Sequence, residues 1–173
     1  MERPRLTPVD ELLKPSRFKE LYERALPVVY GYLLRRCGGR DVAAELAQET
    51  FLSAIRALHR GAVVDAPLPW LISIARRRLV DHYRRSEVRS RAQPVRPELE
   101  GDSDVTTDAE VVLVTALESL PNDYRLALIL RYVDDLTLDD VASHLDRSSV
   151  ATESLLARAR KALAKAYQEL NHE

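Results

Sequence analysis

Residues 134–163 run through a short amphipathic pattern, a polar break and a longer amphipathic pattern, and that order constrains the fold more than any other stretch of the chain. Leu138, Val141, Ala142 and Leu145 recur at helical spacing, and Thr137 followed by Asp140 resembles a capping box, so a first helix is predicted to start near residue 138. Ser148 or Ser149 can cap a second helix, whose apolar face is predicted to run through Val150, Leu155 or Leu156, Ala159 and Leu163. Arg158, Arg160, Lys161 and Lys165 fall on its remaining faces. Two helices joined by so short a break make a helix-turn-helix, and a basic second helix suits the major groove of DNA. A plain αα-hairpin with a solvated basic face has the same pattern, so the rest of the chain has to decide between them.

Upstream, periodicity predicts a helix over 17–37, interrupted near Pro27 and stopped by Gly38 and Gly39, another over 41–58 and a third over 70–85. The loop from His59 to Pro69, with Gly61, Pro67 and Pro69, separates the last two. From Ser86 to Asp108, prolines, a glycine, acidic residues and a lack of periodicity predict a flexible tether. Helices over 109–120 and 121–133 are predicted to follow, ahead of the helix-turn-helix pair. No alternating pattern marks a strand. The expected fold class is therefore all-α: two small helical domains joined by a flexible acidic linker, the second ending in the helix-turn-helix.

The formal net charge of -1 conceals an opposition between the halves of the chain. Residues 1–92 hold 18 Lys and Arg against 11 Asp and Glu, a net +7, while residues 93–173 hold 8 against 16, a net -8. A basic first half suits a polyanion, whereas a near-neutral whole argues against a non-specific nucleic-acid coat held by counterion release. Something besides bulk charge has to deliver this chain to DNA. The single cysteine, Cys37, excludes an internal disulfide, and His59, His82, His144 and His172 form no pair at metal-ligand spacing, so neither metal nor cofactor is expected. No apolar run approaches the ~20 residues of a membrane-spanning helix. The first residues carry no signal-peptide apolar segment either, so a cytoplasmic location without membrane insertion is expected.

Two helices of the first half carry further pattern. Over 41–58, Ala43, Leu46, Ala47, Thr50, Phe51, Ala54, Ile55 and Leu58 make a core face, which leaves Glu45, Gln48, Glu49, Leu52 and Arg56 together on the opposite side. An acidic stripe that carries a leucine has the character of a partner-binding surface, although a solvated helix face has the same composition. The next helix buries Leu71, Ile72, Ala75 and Leu79, with Tyr83 at the edge of that face, and presents Arg76, Arg77, Arg78, Arg84 and Arg85. Asp81 can pair with Arg77 or Arg85, but one acid cannot neutralise five guanidinium groups, so phosphate contact is expected. Trp70 is placed either to stack on a base or to anchor the start of its helix.

Taken in order, Asp41-Val-Ala-Ala-Glu-Leu-Ala-Gln-Glu-Thr-Phe-Leu, Pro69-Trp-Leu-Ile-Ser-Ile-Ala-Arg, Asp81-His-Tyr-Arg-Arg and Leu120-Pro-Asn-Asp-Tyr-Arg-Leu-Ala-Leu-Ile-Leu-Arg-Tyr-Val, followed by the helix-turn-helix, resemble a bacterial RNA polymerase sigma factor of the extracytoplasmic-function (ECF) group over about residues 17–170. The resemblance implies an N-terminal extension over 1–16, sigma region 2 over 17–86, a linker over 87–108 and region 4 over 109–173. It implies no catalytic site, and as partners RNA polymerase core enzyme, promoter DNA and an anti-sigma factor. Glu45, Gln48, Glu49 and Leu52 would meet the clamp helices of the large polymerase subunit. His59, Asp65, Trp70, Arg76, Arg77, Arg84 and Arg85 would serve the minus-10 element, where a flipped base has to be held against the few kcal/mol that unstacking costs. Ser148, Ser149, Thr152, Glu153, Ser154 and Arg158 would serve the minus-35 element.

The chain departs from the family pattern at Arg77, where relatives commonly carry Asn, and at Glu153 and Leu155, where many carry basic residues, so their base preferences do not transfer. A dimeric helix-turn-helix repressor would account for the C-terminal half but leaves the acidic stripe and the arginine helix without a role; binding of core polymerase separates the two. A nucleic-acid enzyme would need clustered carboxylates or a nucleophile with its base. The acid pairs Asp134–Asp135 and Asp139–Asp140 fall instead at a loop end and a helix cap.

Overall fold

The computed structural model describes Leu12 and residues 14–90 and 108–171. Among these the chain forms seven α-helices, one π-helical turn and no strand element, divided into two compact units, Met1–Leu79 and Val80–Glu173. The tether predicted from Ser86 to Asp108 lies, from residue 91 to 107, outside the described residues, as does nearly all of the N-terminal extension.

In the first unit α1 (Pro15–Cys37) and α2 (Arg40–His59) pack against each other. The interruption expected at Pro27 does not occur, and α1 runs through it. Leu21 and Ala25 before the proline and Val29, Tyr32 and Leu33 after it are all buried. Keeping that face in register outweighs the ~3 kcal/mol an interior proline costs. Gly38 ends the helix at φ 74°, a left-handed conformation that carries a steric cost for any residue with a Cβ. Tyr22 of α1 then meets Phe51 of α2 edge to face, with ring centroids 4.7 Å apart.

The third helix, α3 (Pro67–Ser90), starts three residues earlier than predicted. Pro67 and Pro69 sit in its first turn, where backbone N–H groups have no intrahelical partner anyway, and the N–H of Trp70 donates to the Ala66 carbonyl at 3.1 Å. The helix also runs past the predicted end at Arg85, so its last turns, from Val80 on, belong to the second unit.

That second unit holds α4 (Asp108–Glu118), α5 (Asn122–Leu128), a π-helical turn (Ile129–Val133), α6 (Leu138–Leu145) and α7 (Ser149–Asn171), with α7 packed against α4, α5 and α6. Leu120, Ala127, Leu128, Leu155, Leu156 and Ala159 form its core. The single helix predicted over 121–133 widens at Ile129, where the Asp134 N–H reaches back to the Ile129 carbonyl at 3.0 Å. Leu126 to Leu130 are all buried, more consecutive positions than one face of a regular helix holds, and the wider turn accompanies that burial.

The helix-turn-helix forms as predicted. Thr137 caps α6, its hydroxyl accepting from the Asp140 N–H at 3.2 Å and donating to the Asp140 carboxylate at 2.6 Å. Asp146 ends α6 at φ 51°, and the N–H groups of Asp146 and Arg147 donate to the carbonyls of Ser143 and Ala142, a Schellman closure built on an aspartate instead of glycine. The Ser148 hydroxyl caps α7 by accepting from the Ala151 N–H at 3.2 Å. One face of α7 differs from expectation: Val150 points outward and Thr152 inward. Thr152 lies seven residues before the buried Ala159, close to two full turns, whereas Val150 lies nine before it, two and a half turns away.

Candidate functional site

On α2, Ala43, Leu46, Ala47, Thr50, Phe51, Ala54 and Leu58 are buried. Glu45, Gln48, Leu52 and Arg56 are exposed, with Glu49 at the margin, so the acidic stripe is present as a continuous outward face. Leu52 stands 52% exposed within it. A leucine held that far into water on a rigidly backed helix gives a partner an apolar contact, and the flanking carboxylates favour a basic one. Where α2 ends, His59 and Ile55 line a shallow apolar groove with Pro15, Phe18, Lys19 and Tyr22 of α1.

Asp65 in the loop before α3 is exposed, and Trp70 is half-buried, with its carbonyl accepting from the Ser73 hydroxyl at 2.7 Å. Leu71, Ala75, Leu79, Val80 and Tyr83 form the buried face of α3, while Arg77 and Arg85 are exposed and Arg76 is half-exposed. Arg84 stands apart from these. Its guanidinium lies 2.9 Å from the Asp146 carboxylate and donates to the His144 carbonyl at 2.8 Å, both in the turn of the helix-turn-helix. Beside it, Arg125 lies over the Tyr83 ring at 5.1 Å and the Asn122 amide donates to the Ser86 hydroxyl at 2.9 Å. Because Asp146 is well exposed, the ion pair is worth ~0–1 kcal/mol, weak enough for a phosphate to displace it.

On the helix-turn-helix, Ser148, Glu153, Ser154 and Arg158 are exposed, and Ser149 is partly so, its hydroxyl donating to the Asp139 carboxylate at 2.6 Å. Thr152 departs from its predicted place at the minus-35 surface. It is fully buried, because its helical position falls on the core side of α7. The sequence reading also missed the ties that hold the turn: Arg147 is paired with the Asp123 carboxylate on α5, and Asp146 with Arg84. An aspartate at a helix end, where a left-handed residue is needed, was the available signal for Asp146. Nothing local points from Arg147 to Asp123. Nearby, burial raises the Glu118 carboxyl above its ordinary value, partly offset by the Arg125 guanidinium.

Among the described residues no group of His, Cys, Asp or Glu is placed to hold a metal ion, and no helix is long and apolar enough to cross a membrane.

Known proteins match the same two stretches. The family model for Sigma-70 region 2 matches residues 21–89, and that for Sigma-70, region 4 matches residues 110–163. BldN, an ECF RNA polymerase sigma factor of Streptomyces coelicolor, is 29% identical over 86% of this chain, which spans 59% of BldN. SigC, an ECF RNA polymerase sigma factor of Mycobacterium tuberculosis, is 36% identical over 70% of this chain and 68% of its own length. The solved structure of the sigma factor RpoE from Bartonella quintana, in complex with the anti-sigma factor NepR, shares the fold: the TM-score is 0.55 at 21% identity, over 87% of this chain and 96% of that one.

Proposed function

This chain belongs to the extracytoplasmic-function group of RNA polymerase sigma factors, and from that premise we propose that it docks on polymerase core through α2 and selects promoters with α3 and α7. Region 2 then covers 17–86, the linker 87–108 and region 4 109–173, after an extension over 1–16. Glu45, Gln48, Glu49 and Leu52 make the core contact, and the observation that carries this is the half-exposed Leu52 set among acids on a helix whose other face is buried. His59, Asp65 and Trp70 hold the minus-10 base, with Arg76, Arg77 and Arg85 on neighbouring phosphates and Arg84 joining them once it leaves Asp146. Ser148, Ser149, Glu153, Ser154 and Arg158 face the minus-35 element.

The chain contributes no catalytic group of its own and works in the cytoplasm, where core polymerase carries the chemistry. An anti-sigma factor is a further partner, as it is for RpoE of Bartonella quintana. The test is run-off transcription from a genomic fragment library with purified core enzyme, with and without this chain. Discrete start sites that depend on the chain are expected. A chain that binds DNA but directs no initiation by core would instead be a free-standing helix-turn-helix regulator.

A further inference from the structure

Val150 is the most exposed large apolar side chain among the described residues, at 75%. It occupies the first turn of α7 and shares its outward face with Glu153, Ser154 and Ala157, opposite the buried Thr152, Leu155, Leu156 and Ala159. We propose that Val150 reads thymine at one position of the minus-35 element by packing against the C5-methyl group, an inference that rests on α7 being the recognition helix. The N-terminal residues of such a helix are those that meet base edges. A valine has neither donor nor acceptor, so the major-groove feature it selects is apolar, and thymine alone among the four bases offers one. Helix stability gives no reason for the residue, since a β-branched side chain in water is a poorer helix former than alanine or glutamate. The position is also well fixed: Ser148 caps the helix, Ser149 is tied to Asp139 and Arg147 to Asp123, so little ordering remains to be done on binding.

The experiment uses core polymerase reconstituted with the full chain. Duplexes are selected from a library randomised over the minus-35 element, and each thymine of the selected element is then replaced singly by 2′-deoxyuridine, which deletes only the methyl group. At one position wild type should lose about fourfold in affinity, equivalent to the ~0.8 kcal/mol of burying one methyl-sized group. Val150→Ala should show a smaller difference between the thymine and uracil duplexes, while Thr152→Val, changed at a buried position, should keep the full difference. Selected elements without a thymine, methyl deletion without effect at every thymine, or a loss undiminished in Val150→Ala would each overturn the proposal. If the reconstituted enzyme selects no duplex at all, the promoter-reading role fails and this proposal falls with it, a result distinct from selection without methyl dependence.

Discussion

Thr152→Val should make the protein more stable, and Thr50→Val less, although both threonines are fully buried in helices. The difference lies in the hydroxyls. The Thr50 hydroxyl donates to the Leu46 carbonyl at 2.7 Å, whereas that of Thr152 has no partner among the described residues. A buried hydroxyl left unpaired costs ~1–3 kcal/mol by mutational measures. Valine has nearly the shape of threonine and much the same helix propensity, so the exchange at Thr152 removes that cost and adds little else. A gain of ~1 kcal/mol raises the melting temperature of a domain the size of the second unit by about 4–8 °C. At Thr50 the same exchange removes a made hydrogen bond, and ~0.5–1.5 kcal/mol should be lost. Differential scanning calorimetry of both variants under one set of conditions gives the two signs directly. A Thr152→Val protein that melts at or below wild type refutes the reasoning. The same variant should keep its minus-35 preference, since a buried side chain touches no base; altered selection would return Thr152 to the DNA surface.

Glu49→Lys is expected to weaken binding to core polymerase by about tenfold or more through like-charge repulsion, without unfolding the protein; unchanged affinity at physiological salt would remove α2 from the interface. Arg77→Ala should weaken promoter opening on all sequences and flatten its salt dependence by about one unit of slope, read from opening measured over a salt series. Glu153→Ala should lose ~1–3 kcal/mol of discrimination at one minus-35 position, since a carboxylate favours the cytosine N4 amine; unchanged selection with a lower melting temperature would leave it only a helix-dipole role of ~0.3–1 kcal/mol. Burial raises the folded-state pKa of Glu118 above 4.5, so the folded chain binds more protons than the unfolded one and stability falls as pH rises through that interval. Glu118→Gln should therefore be more stable than wild type at neutral pH, by a margin that shrinks as pH falls and disappears below about 4.5, measured by denaturant titration across the acid range.

Features that depend on neighbours within one helical turn could be read directly from the residues. The core face of α2 follows from apolar spacing, its acidic outward face from what that spacing leaves over, and the Thr137 cap and the Gly38 stop from the chemistry of single positions. The exchange of Val150 and Thr152 was also within reach, because counting turns back from Ala159 separates them, but hydrophobicity alone ranks valine as the core residue. What only the tertiary structure decided involves partners far apart in the chain. Arg84 lies 60 residues from His144, and Arg147 lies 24 from Asp123. Such pairs leave no periodic trace, since one charged residue in a surface pattern looks like any other until the fold brings its partner near. The continuity of α1 through Pro27 has the same origin: local propensity votes for a break, and apolar burial on both sides of the proline, summed over the helix, outweighs it.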